Sequence, residues 1–151
     1  MNEKKDLTVR ESTIFVLEQS AEGFEVLKDS MLVAATAFEQ DNNTTAIEII
    51  NEKVTPCLAD LCRFCGTLQV YYHDVLGEKT VLKLTEKLKK IEQNMNEIIS
   101  ALEDENFIDS ADILRYDFSN SLDDLATIFP LIKETFEQSN REDLDKFAQL
   151  F

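Results

Sequence analysis

The three cysteines are the side chains with the most evident capacity for chemistry. Cys57, Cys62 and Cys65 have the C-x4-C-x2-C spacing of plant-type iron–sulfur proteins. Such a site also needs a loop that wraps the cluster and a fourth, distant cysteine, and the chain contains only 3 cysteines. His73 lies about 12 Å beyond Cys65 along a helix, which is too far to share one metal ion. The pattern predicts thiols that pack as small apolar side chains, with a metal or redox role as the alternative.

Other familiar catalytic and metal sites are missing from the sequence. A di-iron site in a helical bundle needs Glu-x-x-His pairs, but the single histidine, His73, has Val70 at that spacing. An EF-hand at residues 104–124 would lack the glycine that the calcium loop needs. No glycine-rich phosphate loop or Gly-x-Ser-x-Gly turn occurs. We therefore expect no enzyme activity, no cofactor and no bound metal, and the alternative is a metal- or thiol-dependent enzyme.

The most acidic stretch of the chain also has helical periodicity. Residues 103–124 contain many acidic side chains and a single basic one. Asp104 or Asn106 could accept hydrogen bonds from free N–H groups at a helix start, and Asp109 and Asp112 lie near the positive end of the helix dipole. The apolar stripe consists of Phe107, Ala111, Leu114, Phe118, Leu122, Leu125, Phe129, Ile132 and Phe136. The stretch predicts an amphipathic helix whose acidity exceeds what capping requires.

The surplus acidity predicts a docking face for a basic or amphipathic segment of a partner protein. This face comprises Asp109, Asp112, Tyr116 and Asp117, with Tyr116 as the aromatic anchor beside the apolar stripe. The alternative is a solvated face that attracts a lysine run on the preceding helix, with each exposed pair contributing about 0–1 kcal/mol. That run consists of Lys79, Lys83, Lys87, Lys89 and Lys90. In the alternative, Tyr116 only covers the edge of the core with its hydroxyl in water.

Residues 111–118, Ala-Asp-Ile-Leu-Arg-Tyr-Asp-Phe, followed by Leu122, resemble a motif of uncharacterised bacterial helical-bundle proteins, a domain of unknown function. The family pattern is roughly Ala-Asp-Leu-Leu-x-Tyr-(Asp/Glu)-Leu-x-Pro-x-Leu. The order of predicted helices is also similar along most of the chain, including a glycine in the first helix, Gly23. At residues 119–121 the chain has Ser-Asn-Ser and lacks the family's proline. The resemblance implies a bacterial origin and a small bundle, and it implies no known activity.

The composition is that of one acidic globular domain. The 151 residues are enough for a single sizeable core, so we predict one domain over residues 1–151, with residues 1–8 frayed. The formal charge of −15 argues against nucleic acid and anionic membranes as partners, because both are negatively charged. Without a recognisable signal peptide or membrane span, and with an odd number of cysteines, the sequence predicts a cytoplasmic location.

Helical periodicity and capping signals predict the first helix. It begins at Thr8, which forms a capping box with Glu11, and it ends near Glu39. Gly23 lies in its middle, where glycine costs about 1 kcal/mol relative to alanine. A close helix crossing would explain this glycine, and a local bend or break is the alternative.

The second predicted helix starts at Thr45, which has capping-box spacing to Glu48. We expect Pro56 to kink this helix, because proline lacks the N–H that a helix interior requires. Gly77 should end it, since glycine adopts left-handed backbone conformations readily.

The third helix, about 79–104, has the cleanest apolar seam, which could pack within the bundle or against a second copy in a homodimer. The fourth continues to about Gln138 with a kink at Pro130, and Asn140 caps a short fifth helix. The fifth contains Leu144, Phe147 and Leu150. Short turns between long helices favour antiparallel neighbours. The predicted fold is therefore all-α: an antiparallel up-down four-helix bundle with a short fifth C-terminal helix.

These features together predict a non-enzymatic helical bundle that binds another protein through a helix face. A first alternative is a cytosolic chaperone for a secretion or flagellar-type export substrate, which would hold an amphipathic helix in a groove. A second alternative is the metal- or thiol-dependent enzyme mentioned above. The sequence does not identify the partner or the pathway.

Overall fold

The computed structural model describes residues 7–146, and residues 1–6 and 147–151 lie outside the described range. Within residues 7–146 the regular structure is helical and contains no β-strand, so the predicted all-α class is confirmed. The predicted fraying of residues 1–8 falls mainly on residues that are not described. No described helix is both long and apolar enough to cross a membrane.

The first helix, α1, spans Val9–Glu39. The Thr8 hydroxyl accepts a hydrogen bond from the Glu11 N–H at 3.1 Å, and the Glu11 carboxylate accepts one from the Thr8 N–H at 3.2 Å. The predicted capping box is therefore confirmed. Gly23 is exposed, and a Cβ added there would meet no heavy atom within 4 Å. The close helix crossing predicted at Gly23 is therefore wrong, and α1 also continues across it without a break.

The second predicted helix is divided into several segments. They are α2 (Asn43–Ile49), a π-helical turn (Ile50–Val54), α3 (Thr55–Tyr71) and α4 (His73–Leu76). The helical run already begins at Asn43, so Thr45 lies inside α2 and the capping box predicted for it is wrong. The side chain of Asn42, which precedes the helix, makes no capping hydrogen bond either.

A proline lies next to the π-turn of this run, and a glycine lies at its end. The Thr55 N–H donates to the Ile50 carbonyl, the longer spacing that defines a π-turn. Pro56 follows in the first turn of α3, directly after the π-turn, and it has no N–H to donate to the preceding turn. Where the sequence predicted a kink at Pro56, the structure has a π-turn directly before this residue. Gly77 has φ of 84°, in the left-handed region, and follows α4 as the predicted stop.

The helix α5 spans Glu78–Glu103 and agrees with the predicted 79–104 within one residue at each end. Its buried side chains include Leu84, Ile91 and Ile98, which belong to the predicted apolar seam. Glu105, in the turn that follows, has φ of 54°. The regular spacing of apolar residues along α5 explains why its bounds could be predicted.

The fourth predicted helix is also divided. It comprises α6 (Phe107–Asp112), a second π-turn (Ile113–Asp117), α7 (Phe118–Ala126) and α8 (Phe129–Gln138). The prediction of one continuous helix kinked at Pro130 is wrong, because the helix is interrupted at residues 127–128. Pro130 lies in the first turn of α8, where proline is well tolerated.

In place of the fifth helix, the described residues form a 3₁₀ turn at Glu142–Asp145, and the cap predicted at Asn140 is wrong, because Arg141 precedes the turn and makes no capping side-chain hydrogen bond. Leu144 in this turn is buried, as its place in the predicted apolar pattern suggests. Phe147 and Leu150, the other two residues assigned to that helix, lie outside the described range.

The helices surround one apolar core. α1 packs against α2, α6, α7, α8 and both π-turns, whereas α5 packs against α3, α4, α6 and α7. The largest fully buried side chains are Phe118, Phe136, Leu27, Met31, Leu68, Leu84, Ile91, Leu114, Leu122, Leu125, Ile132 and Leu144. They belong to a single cluster with members from Leu17 to Leu144. This core fixes which side of each helix faces outward.

Candidate functional site

The cysteines differ in burial but share a raised pKa. Cys65 is buried, Cys57 is half-buried and Cys62 is exposed. Burial raises the pKa of the Cys65 thiol to about 12. Partial desolvation by neighbouring groups also raises the pKa of Cys57 and, although its residue is exposed, of Cys62, to which the nearby Glu92 carboxylate adds. Such thiols carry little thiolate at neutral pH, the form that attacks substrates and binds metals. In the described part of the chain, no three His, Cys, Asp or Glu side chains are grouped to hold a metal ion.

Asp109 lies in the first turn of α6 and takes part in its capping. The Asn106 side-chain carbonyl accepts a hydrogen bond from the Asp109 N–H at 3.2 Å, and its amide donates to the Asp109 carboxylate at 2.6 Å. Asn106, and not Asp104, is therefore the cap of this helix. The carboxylate of Asp109 is still exposed, so it can also contribute negative charge to the surface.

The other three residues of the predicted docking face lie on the surface. Asp112 and Asp117 are exposed and form no ion pair with any described residue. Tyr116 is 59% exposed and is not among the partly buried side chains that pack against the core. On the core side of the same helical run, Leu114 of the π-turn and Phe118 of α7 are 0% and 1% exposed. The four predicted residues thus share one exposed stretch of α6 and the π-turn, and their binding role stays a prediction.

The π-turn aligns Tyr116 with an exposed residue that the sequence analysis did not assign, Ile108. In a regular α-helix, residues eight positions apart are displaced by about 80° around the axis. The Phe118 N–H bonds to the Ile113 carbonyl in a wider turn, which reduces this displacement. We therefore expect Ile108, which is 77% exposed, to lie in one row with Asp112 and Tyr116.

We call the surface formed by Ile108, Asp109, Asp112, Tyr116 and Asp117 the acidic face. By the same helical geometry, Asp109 and Asp117 lie along one side of the row. Ile108 is adjacent to Phe107 of the apolar stripe, so helical periodicity alone does not distinguish it as a surface residue. An apolar residue just outside the stripe is the signal that could have identified it.

Arg115 holds the acidic face in place. Its guanidinium donates to the Thr36 hydroxyl at 3.1 Å and pairs with the Glu39 carboxylate, both in the last turns of α1. The only basic side chain of the stretch therefore points to α1 and leaves the carboxylates of the acidic face unneutralised. The second π-turn is thus fixed against the C-terminal end of α1.

The two acidic residues of the stretch that lie in α7 are paired across helices. Asp123 accepts from Lys28 of α1 at 2.7 Å, and the pKa of Lys28 is raised mainly by this hydrogen bond. Asp124 accepts from Lys87 of α5 at 2.9 Å, and that hydrogen bond is the main cause that lowers the Asp124 pKa. The acidity of the stretch therefore divides into three parts: exposed residues at the turn before α6, exposed residues on the acidic face (one of which, Asp109, also takes part in capping), and paired residues of α7.

A second charged surface lies between α5 and the α7–α8 junction. It is an open cleft of about 450 Å³, which we call the basic cleft. It is lined by Lys83, Glu86, Lys87, Lys90, Asp124, Thr127, Ile128 and Leu131. Lys87 and Lys90 of the predicted basic run therefore lie against Asp124, at the C-terminal end of the acidic stretch. For these residues the structure agrees with the alternative in which the lysine run and the acidic stretch attract each other.

Comparison of the chain with protein-family models, with curated proteins and with solved structures found no match. The resemblance of residues 111–118 to a bacterial bundle motif therefore stays a prediction. What the protein does has to be inferred from its own surface.

Proposed function

We propose that this chain is a non-enzymatic protein-interaction module that docks a basic or amphipathic segment of a partner protein on its acidic face. The observation that carries this proposal is the exposure of Ile108 and Tyr116 among three exposed carboxylates. Large apolar side chains surrounded by charge are typical of a binding surface, where they supply desolvated area and the charges select the partner. Lysine or arginine residues of the partner would pair with Asp112 and Asp117.

We infer that the scaffold of this face is the predicted antiparallel up-down bundle. Contacts between α1 and the fourth helical run support this, because residue numbers rise on one side as they fall on the other. Glu39 pairs with Arg115, Lys28 with Asp123 at 2.7 Å, and Glu18 with Lys133 at 3.1 Å. A rigid helical scaffold would keep the acidic face pre-organised, which lowers the entropic cost of docking.

The proposed function includes a cytoplasmic setting without nucleic acid or membrane partners. The excess of 30 acidic over 15 basic side chains supports this, because anionic partners would be repelled by most of the surface. Three cysteines with unreactive environments also suit a reducing compartment.

The test compares two double charge reversals that change the net charge equally. In the first, Asp112→Lys with Asp117→Lys alters the acidic face. In the control, Glu22→Lys with Asp29→Lys alters exposed residues of α1 that form no ion pair with described residues. Partners captured by the wild-type chain should be retained by the control and lost by the first variant, with affinity falling about 10- to 100-fold.

Removing the aromatic side chain of Tyr116 distinguishes specific docking on the acidic face from general attraction between charges. Tyr116→Ala should weaken binding of the same partner by about 1–2 kcal/mol, because a truncated aromatic anchor loses its contact area. Thermal unfolding of each variant, followed by circular dichroism, verifies that it still folds. Partner binding that is equal in all variants would exclude the acidic face as the docking site.

A groove between α1 and α2 favours the alternative of an export chaperone. This groove of about 370 Å³ is lined by Leu32, Val33, Thr36, Ala37, Gln40, Asn42, Thr45 and Ile49. Val33 is 56% exposed, so an amphipathic helix could cover it. Val33→Asp would abolish capture of an unfolded export substrate in that case, whereas it would leave the docking of a folded partner on the acidic face unchanged.

A further inference from the structure

The basic cleft is a positively charged region on a strongly acidic chain. Residues 79–90 contain five lysines and one glutamate, although the whole chain carries a formal charge of −15. Lys83, Lys87 and Lys90 follow one another at helical spacing, so their side chains leave α5 on one side. A local cluster of one sign concentrates ligands of the opposite sign even when the net charge would repel them.

A carboxylate already occupies part of this cleft. The Asp124 carboxylate lies 2.9 Å from the Lys87 ammonium and 3.9 Å from that of Lys90. The Asp124 side chain is 41% exposed, so this ion pair is open to competition from solvent and from other carboxylates. Lys83 forms no ion pair with any described residue. The cleft therefore binds the Asp124 carboxylate and has Lys83 available beside it, while the exposed Glu86 is a second acidic residue of its lining, so three lysines face two carboxylates.

The wall opposite α5 adds apolar surface. Leu131 of α8 is 43% exposed, although it lines the cleft between buried neighbours such as Ile128 and Ile132, which are 3% and 0% exposed. A purely ionic ligand, such as a polyphosphate, would leave Leu131 in contact with water. A peptide with both carboxylates and apolar side chains would match the lysines and Leu131 at once.

We propose that the basic cleft docks an acidic amphipathic segment of a protein, whose carboxylates bind Lys83 and Lys87 while an apolar side chain covers Leu131. Asp124 competes with the incoming carboxylates for Lys87 and Lys90. This surface is separate from the acidic face and opposite to it in charge, so the bundle would connect a basic partner and an acidic partner.

The probe is a fluorescein-labelled peptide in which Glu and Leu recur at amphipathic-helix spacing, and its binding is measured by fluorescence anisotropy. The comparison peptide has every Glu replaced by Gln. We expect the Glu peptide to bind the full chain, the Gln peptide not to bind, and the affinity to fall when salt rises to about 0.15 M.

Two lysine variants with equal net charge locate the site. Lys83→Ala with Lys87→Ala should weaken peptide binding by about tenfold, because two exposed charge pairs are removed. The control, Lys53→Ala with Lys89→Ala, removes exposed lysines that do not line the cleft and should bind as the wild type does. Leu131→Asp should also weaken binding, because it opposes the carboxylates and removes the apolar contact.

The competition by Asp124 gives a test with the opposite sign. Asp124→Asn should strengthen peptide binding several-fold, because Lys87 and Lys90 lose their internal carboxylate. Equal weakening in the two double-lysine variants, or weaker binding by Asp124→Asn, would overturn the proposal. Binding of inorganic polyphosphate as tight as that of the peptide, or lysine-dependent self-association in sedimentation experiments, would overturn the peptide as occupant in favour of a simple anion or a second copy.

Discussion

Gly23 and Gly77 occupy backbone positions with opposite requirements. Gly23 lies in the middle of α1 and is exposed, and the space around its missing Cβ is empty to 4 Å. Gly77 has the same empty surroundings but a φ of 84°, which L-residues with a side chain rarely adopt. Gly23 therefore lowers the stability of α1, and no close contact or unusual backbone angle requires a glycine there. Gly77, by contrast, provides the positive φ that the turn before α5 needs.

Alanine substitution at the two glycines should have effects of opposite sign. Gly23→Ala should raise the free energy of unfolding by about 0.5–1 kcal/mol, because alanine has the higher helix propensity. Gly77→Ala should lower it by about 1–2 kcal/mol, because alanine is strained at positive φ. Urea unfolding followed by far-UV circular dichroism measures both values. Destabilisation by Gly23→Ala would mean that this glycine has a contact which the structure does not show.

At the scale of elements, a buried polar pair joins α5 to α7 in an otherwise apolar contact. The Ser121 hydroxyl donates to the Asn94 side-chain carbonyl at 2.5 Å, and both residues are 8% exposed. The pair fixes how far along α5 the α7 helix sits, because only one alignment lets the two groups meet. Apolar periodicity alone permits neighbouring alignments, so this pair adds specificity to the packing.

Breaking one half of this pair should cost more than replacing both halves. Ser121→Ala should lower the free energy of unfolding by about 1–3 kcal/mol, because the Asn94 carbonyl is left buried without its donor. Adding Asn94→Leu to that variant should recover part of the loss, since no polar group is then unsatisfied. A double-mutant cycle of urea unfolding measures the coupling. Strictly additive losses would show that the hydrogen bond contributes nothing.

At the scale of the whole molecule, periodicity predicted which stretches are helical and failed at their interruptions. The bounds of α1 and α5 followed from a capping box and from an apolar repeat that alternates three and four residues. The π-turns at Ile50–Val54 and Ile113–Asp117 could not be predicted in this way. A π-turn changes the hydrogen-bond spacing by one residue while leaving the apolar stripe on the core side, so the sequence pattern barely records it.

The candidate site, like the fold, could be predicted from the sequence only in part. Exposure of Asp112, Tyr116 and Asp117 follows from their place outside the apolar stripe, and the sequence was sufficient for it. The contribution of Ile108 depends on the π-turn, and the pairing of Asp124 with Lys87 depends on which helices are neighbours. Both are consequences of tertiary packing, which a single sequence does not reveal.

The second π-turn also means that this stretch holds one residue more than a regular helix of the same length would need. Removing one residue there would let the backbone return to ordinary α-helical spacing, with Leu114 and Phe118 still facing the core. Removing one residue from a regular helix would instead rotate everything beyond it by about 100° relative to the core. The chain should therefore tolerate a deletion in this π-turn better than a deletion inside a regular helix such as α5.

Deletion of the exposed Asp117 should yield a protein that unfolds cooperatively, with a loss of no more than about 1–3 kcal/mol. Deletion of Gln93, an exposed residue of α5, should abolish cooperative unfolding, because Met95, Ile98 and Leu102 would turn away from the core. Thermal unfolding of the two deletion variants distinguishes these outcomes. The π-turn would then mark a place where this chain can change its length by one residue without loss of its fold.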